Sequence, residues 1–534
     1  MTITTTASQQ SPAVGPERLP GRRSRPPWVL LAASAVVAVV LLAPLVFLLI
    51  EAHGAGIETV RHLIWRPLTA TLLWNTVQLT VVVTALCAVI GTLAAWCVER
   101  TDLPGRHIWA VLVVVPFAIP DFVVSFGWAS LSTWVQGFRG AVLVTTLAVY
   151  PLVYLPVAAS LRGADPGQEE VARSLGLGRI RTFGRVTLRQ ARGAILGGCV
   201  LVALVILAEY GAFEILGYRT FTTEIFTEFQ DSFNVAAACA LSLVLVVFGL
   251  VVLGGDAAAR GRSRVVRTGP MAQRANQRHR LGRATIPVLL GFAALVGLAL
   301  GVPIGSSVYW MFEGGAHALS GVSVVDAGWH TALYSAVAAA LATGLALPVA
   351  LLAVRHGSRV GRILERSTYL VLAMPGVMIA FALSYFLERY ANSFAYQTAP
   401  VLIAAYAILF FPLALVGVRA SVAYAPIRLE EVARSLGQGR LAVFARVTLP
   451  LVGPGLAAAF CLVFLAGVTE LTATLILVPT GVQTLATQFW SYEQNLSYGQ
   501  AAPFALVMIL VAAGPSYVLS RYFDRLPSRA GRPT

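Results

Sequence analysis

Apolar runs long enough to cross a bilayer recur along nearly the whole chain, and no other feature constrains its fold as strongly. A helix needs roughly 20 residues to cross about 30 Å of hydrocarbon. Twelve runs come near or exceed that length: Val29–Ile50, Thr71–Val98, Ile108–Ser130, Val142–Leu161, Ala194–Leu216 and Val235–Leu253, then Thr285–Tyr309, Thr331–Val354, Tyr369–Leu387, Val401–Val418, Gly455–Val478 and Ala501–Leu519. They are continuous and rich in Leu, Val and Ala, whereas a membrane barrel alternates apolar and polar residues in segments of about ten. In lipid the backbone must satisfy its own polar groups, which a helix does within one segment. The expected fold class is therefore all-α, a polytopic membrane protein of about twelve transmembrane helices. The first run follows Arg18, Arg22, Arg23 and Arg25; it is long, lacks a small-residue cleavage site and leads straight into further spans, so it reads as a retained helix.

Charge supplies the orientation. The formal net charge is +15, and all 39 residues of the Lys+Arg count are arginine. With the amino terminus in the cytoplasm, only Arg61, Arg66, Arg139, Arg219 and Arg389 fall outside, leaving 39 − 5 = 34 inside, as positive-inside topology requires. Both termini and the arginine-rich stretch from Arg260 to Arg283 are then cytoplasmic, facing anionic headgroups. Nucleic acid is not needed to explain the charge. Cys87, Cys97, Cys199, Cys239 and Cys461 form no Cys-x-x-Cys pair, so neither a disulfide framework nor a metal knuckle is implied. The seven histidines are scattered; no metal site, cofactor or catalytic constellation emerges.

Comparing the chain with itself reveals a duplication. Glu169-Glu-Val-Ala-Arg-Ser-Leu-Gly176 recurs letter for letter as Glu430-Glu-Val-Ala-Arg-Ser-Leu-Gly437, an offset of 261 that also pairs Arg185-Val-Thr-Leu188 with Arg446-Val-Thr-Leu449, Glu209 with Glu470 and Asn234 with Asn495. Upstream, Pro120 pairs with Pro375 at an offset of 255. Each copy carries six spans, an even number, so both enter the membrane in the same direction, with a pathway expected where two parallel repeats meet. The expected organisation is a first half over residues 1–253 with a cytoplasmic loop at 162–192, a linker over 254–283, and a second half over 284–534 with a loop at 419–453.

The octapeptides fall on these two loops. In the first, Asp165 is placed to cap a short helix with Pro166 at its first position and Gln168 completing a capping box; Gly176 ends it. Val171 and Leu175 then share one face, a shape suited to a groove on another protein. Arg181, Arg185 and Arg189 follow at four-residue spacing and read as an interfacial stripe reaching for phosphates. An ordinary well-capped surface loop gives no reason for eight identical residues in halves whose spans have drifted apart.

Glu170-Val-Ala-x-x-x-Gly176 and Glu431-Val-Ala-x-x-x-Gly437, each followed by Val-Thr-Leu, resemble the EAA loops of binding-protein-dependent ABC importer permeases. That resemblance implies a coupling helix on each loop, docked in a cleft of a separate ATPase subunit, with Glu169, Glu170, Ala172 and Gly176 in the first half and Glu430, Glu431, Ala433 and Gly437 in the second. It also implies two ATPase copies, an extracytoplasmic substrate-binding protein and a bacterial inner membrane. The family's Leu-Pro close is present as Leu449-Pro450, while the first half has Leu188-Arg189; the proline is expected to hold the second exit more rigidly. A P-loop needs a lysine and this chain has none, so ATP hydrolysis belongs to another subunit.

Leu207-Ala-Glu-Tyr-Gly-Ala-Phe213 with Thr220-Phe-Thr-Thr-Glu224, and Glu470-Leu-Thr-Ala-Thr474 with Gln483-Thr-Leu-Ala-Thr487, resemble iron(III) importer permeases, with thiamine and aminoalkylphosphonate importers as near relatives. Glu209, Glu470 and Asp121 are the deep acids, hence pathway candidates for a cation; the bland alternative for the glutamates is a protonated carboxyl bonded to a neighbour such as Tyr210 or Thr472. An ion-coupled secondary carrier should show more such acids, and an intramembrane enzyme should show Gly-x-Ser-x-Gly or His-Glu-x-x-His, both absent.

Overall fold

The computed structural model describes residues 28–529, apart from 55, 164–166, 231, 233, 261–278, 316–317, 319–322, 357–358 and 391–397. The described chain is helical; its one extended pairing is a bridge between Thr101 and His279. Among the described residues ten helices are long and apolar enough to span a membrane, and two sharply bent pairs bring the number to twelve. The chain is thus an all-α polytopic membrane protein. The capping residues Asp165 and Pro166 lie outside the described residues.

Four of the twelve expected spans are not continuous, and the breaks come in matched pairs. Ile108–Ser130 is two helices, Arg106–Ala118 and Asp121–Ala129, meeting at 91°; Tyr369–Leu387 lies across Val360–Ala373 and Gly376–Tyr390, meeting at 100°. Pro120 and Pro375 explain both. Proline has no N–H for the helix ladder and pushes the preceding residue to extended backbone, seen as ψ 128° at Ile119 and 108° at Met374. Ala194–Leu216 and Gly455–Val478 stop short as well. The helix Leu188–Ala208 gives way at Glu209, where ψ is 133°, to the short helix Gly211–Ile215. Leu449–Val468 likewise gives way to Thr472–Leu477.

The halves embrace. The opening helix Trp28–Gly54 packs against Val324–Leu351, Arg359–Thr368 and Gly376–Tyr390 of the second half, while Val302–Gly314 packs on Asp121–Ala129 of the first. Small residues make these crossings close, as lipid-embedded helices require when no hydrophobic effect drives them together. Between the halves, a Cβ on Gly127 would lie 2.7 Å from Pro303 Cα; within the first half, one on Gly198 would lie 2.7 Å from Val153 Cα. One buried apolar cluster draws Phe122 and Phe126 from the first half together with Phe489 and Phe504 from the second. The helix Val235–Arg260 runs past Gly254, so the start of the expected linker continues the sixth span.

Candidate functional site

The two octapeptides form the helices Gly167–Ser174 and Ile427–Ser435, here the first and second loop helices. Both end in the same way. Gly176 and Gly437 adopt φ 85° and 79°, and their N–H groups donate to Arg173 and Arg434 carbonyls while Leu177 and Gln438 reach back to Ala172 and Ala433. This Schellman closure needs a left-handed residue, which glycine supplies without a Cβ penalty.

Each loop helix has a seated face and a free face. Ala172 and Ala433 are buried beside the first glutamate of each motif, Glu169 and Glu430. Glu170 and Glu431 point outward. So do the apolar pairs: Val171 and Leu175 are 59% and 77% exposed, Val432 and Leu436 54% and 75%. The expected apolar face therefore exists in both copies and is uncovered in this chain.

What holds the seated face is ionic. Glu430 Oε1 lies 3.0 Å from Arg355 Nη2, and its Oε2 lies 3.3 Å from Arg434 Nη2. Glu169 Oε1 accepts from the Thr187 hydroxyl at 2.8 Å and lies 3.8 Å from the fully buried Arg100; Oε2 lies 3.6 Å from His279 Nε2. Burial alone would raise the Glu169 carboxyl, but the hydrogen bonds from His279 and Thr187 and the Arg100 charge outweigh it and hold the group below the usual carboxylate range, because each favours the charged form. Arg100, Arg355 and His279 were not singled out from sequence. The arginines carried a usable signal, since they pair at the same offset of 255 as Pro120 and Pro375; His279 carried none.

Both loops return to the membrane through a π-helical turn, Phe183–Thr187 and Phe444–Thr448, followed directly by the helix. The exits follow one backbone course, along which Pro450 brings no N–H where Arg189 does. Gln168, Val171, Arg185, Arg189 and Gln190 line a groove of about 780 Å³ beside the first loop helix. The corresponding groove, about 390 Å³, is lined by Leu429, Val432, Arg446, Pro450 and Leu451.

The three deep acids converge from both halves. Glu209 lies within electrostatic reach of Asp121 and of Glu470. Each glutamate caps the short helix that follows it: Glu209 Oε1 accepts from the Ala212 N–H at 2.8 Å and Glu470 Oε1 from the Ala473 N–H at 2.9 Å. Both of these bonds thus come from backbone N–H groups of the segment that follows each carboxylate. Asp121 opens the helix after Pro120, whereas its counterpart is Gly376, where a Cβ would stand 2.8 Å from Glu470 Oε1. The halves meet here. A Cβ on Gly211 would lie 2.5 Å from Leu471 Cδ2 and 3.0 Å from Phe122 Cβ, and the rings of Tyr210 and Trp490, and of Phe122 and Phe489, pack at 5.6 and 5.3 Å. Glu470 also borders a narrow crevice with Thr331, Tyr334, Tyr406 and Thr484. Among the described residues no group of three His, Cys, Asp or Glu side chains is disposed to hold a metal ion.

Two interlocked halves, each with a proline-broken span, a capped break in its fifth apolar segment and a seated loop helix, define a membrane permease that carries the same unit twice in one polypeptide. The chain belongs to the family described as the binding-protein-dependent transport system inner membrane component, whose pattern matches it twice, over residues 88–262 and 342–531. It is 36% identical over 501 residues to the Fe(3+)-transport system permease protein FbpB 2 of Haemophilus influenzae, covering 93% of this chain and 99% of that one. It is 24% identical over 453 residues to the ferric transport system permease protein FbpB of Actinobacillus pleuropneumoniae, 77% of this chain and 65% of the relative. The sulfate transport system permease protein CysW of Escherichia coli matches at 27% over 205 residues, 35% of this chain and 70% of that protein. The protein is accordingly a multi-pass inner-membrane permease.

Proposed function

We propose that this chain moves iron(III) across the inner membrane, receiving it from an extracytoplasmic binding protein and driven by a separate ATPase, in two copies, that docks on the two loop helices. The observation that carries the docking is the pair of exposed apolar knobs, Val171 with Leu175 and Val432 with Leu436, on helices whose opposite faces are anchored by buried glutamates. A lone solvated helix has no use for such knobs, whereas a partner's groove does. The iron assignment is supported by the extent of the match to a Fe(3+)-transport permease, nearly end to end. We assign residues 1–253 and 284–534 to the two halves, 254–283 to the cytoplasmic connection, and both termini to the cytoplasm.

Glu209, Glu470 and Asp121 are the groups that would pass a cation. An ionised carboxylate inside a membrane costs roughly 2 to 4 kcal/mol unless it is paired or faces water, and three from two halves at the breaks of the spans concentrate negative potential where the halves separate.

The test is uptake of radioactive iron in cells lacking their own importers and supplied with this chain, its ATPase and its binding protein. Iron accumulation that needs ATP and is lost on Glu170→Arg, with the protein still inserted and abundant, is the expected result. Uptake of thiamine or an aminoalkylphosphonate in place of iron would overturn the substrate, and unchanged uptake in Glu170→Arg would weigh against docking through this helix.

A further inference from the structure

The structure assigns a part to the connection between the halves that a tether does not need: its end completes the seat of the first loop helix, where His279 is a positioning residue, and among the described residues none takes its place at the second seat. The backbone there is built in. The His279 N–H donates to the Arg100 carbonyl at 2.8 Å, the Asp102 N–H donates to the His279 carbonyl at 3.1 Å, and the Leu281 N–H donates to Asp102 Oδ1 at 2.8 Å. The imidazole lies against Trp96, ring centroids 6.2 Å apart.

The side chain is interposed. In the second loop helix Arg434 closes directly on Glu430, one turn earlier, at 3.3 Å. In the first, the equivalent Arg173 and Glu169 are bridged by His279: Arg173 Nη2 approaches the ring nitrogens to 2.6 and 2.7 Å while Nε2 faces Glu169 Oε2 at 3.6 Å. An identical octapeptide thus takes two arrangements, and the difference is one residue from the connection. The chain then runs through Gly282–Ala284 into the second half's first span, which packs on Asp121–Ala129. A load on the first loop helix is therefore passed, through His279, to a helix wedged against the one that bears Asp121.

This inference rests on the reading that the loop helices dock an ATPase, and the test separates the two. Cysteines placed at position 171 or 432, in a chain freed of its own five cysteines, are cross-linked to the ATPase in the assembled transporter. In His279→Ala the yield at 171 should fall about fivefold, the net worth of one ordinary side-chain hydrogen bond such as that between Arg173 and the imidazole, with the yield at 432 unchanged. His279→Gln, whose amide can still donate to Glu169, should recover much of it, and Asp102→Ala, which loosens the segment without touching the helix, should give a smaller fall at 171 alone. Iron moved per ATP should drop in step. Equal yields at 171 in His279→Ala and the parent, or equal falls at 171 and 432, would overturn the inference while leaving docking intact. Absence of cross-linking at both positions in the parent would overturn docking and this inference together.

Discussion

Arg355→Met should unseat the second loop helix. The Arg355 and Glu430 side chains are 10% and 9% exposed and 3.0 Å apart. Removing one member of a buried pair leaves an uncompensated charge and costs about 3 to 5 kcal/mol. Glu430 keeps Arg434, but that side chain is 55% exposed, and an exposed pair is worth at most about 1 kcal/mol. Arg355 also donates to the Ala425 carbonyl at 3.1 Å, a further contribution of about 1 kcal/mol. A net loss of about 3 kcal/mol shifts the seated-to-free equilibrium by roughly two powers of ten, at 1.36 kcal/mol per decade. The assay uses a cysteine in place of Ala433, which is 9% exposed, and in a parallel chain one in place of Ala172, 6% exposed. Labelling by a hydrophilic maleimide should speed up about a hundredfold at 433 and not at 172. In Arg355→Met with Glu430→Met, where no buried charge remains, protection should return to within about tenfold, because replacing a whole buried pair with apolar side chains is near neutral. Labelling at 433 within about threefold of the parent in Arg355→Met would refute the reasoning.

Glu209→Gln with Glu470→Gln should depress iron uptake strongly and leave assembly and basal ATPase activity intact, because the amide oxygen still caps Ala212 and Ala473; parental uptake in the double variant would reject the pathway role. Gly211→Val should force Leu471 or Phe122 aside at a cost of about 1 to 3 kcal/mol, raising ATPase activity without the binding protein, and Leu471→Ala should relieve it; an unchanged basal rate in the folded variant would count against closure at this contact. Glu169 is held below the usual carboxylate range, so its contribution to the first seat is complete above that range and is lost as pH falls through the lower native value. Hydrogen exchange at the Leu177 amide, bonded to Ala172, should accelerate beyond its intrinsic pH dependence in that window in the parent and not in Glu169→Gln; matching profiles would remove Glu169 as the titrating group.

Much of this protein was legible from residue order alone. The number of spans, the duplication and the loop helices followed from patterns that act locally: a hydrophobic run of bilayer length, an offset repeated letter for letter, a glycine where a helix must turn left-handed. The seated and free faces of the loop helices followed partly, since Val171 with Leu175 marks one side by spacing. Which carboxylate is buried could not be read, because Glu169 and Glu170 are chemically identical and only the position of Arg100, distant in sequence, separates their roles. The breaks in the spans were hidden for a related reason. Composition averaged over a window stays apolar across Pro120 or Glu209, and a carboxylate satisfied by a backbone N–H three residues on leaves no trace in hydropathy. The tertiary structure alone decided that Glu209 comes within reach of both Asp121 and Glu470, that Gly211 meets Leu471, and that His279 enters the first seat while no described residue takes that place in the second. Those are contacts between segments whose sequence separation carries no information about distance, and they exist because two interlocked halves bury them together.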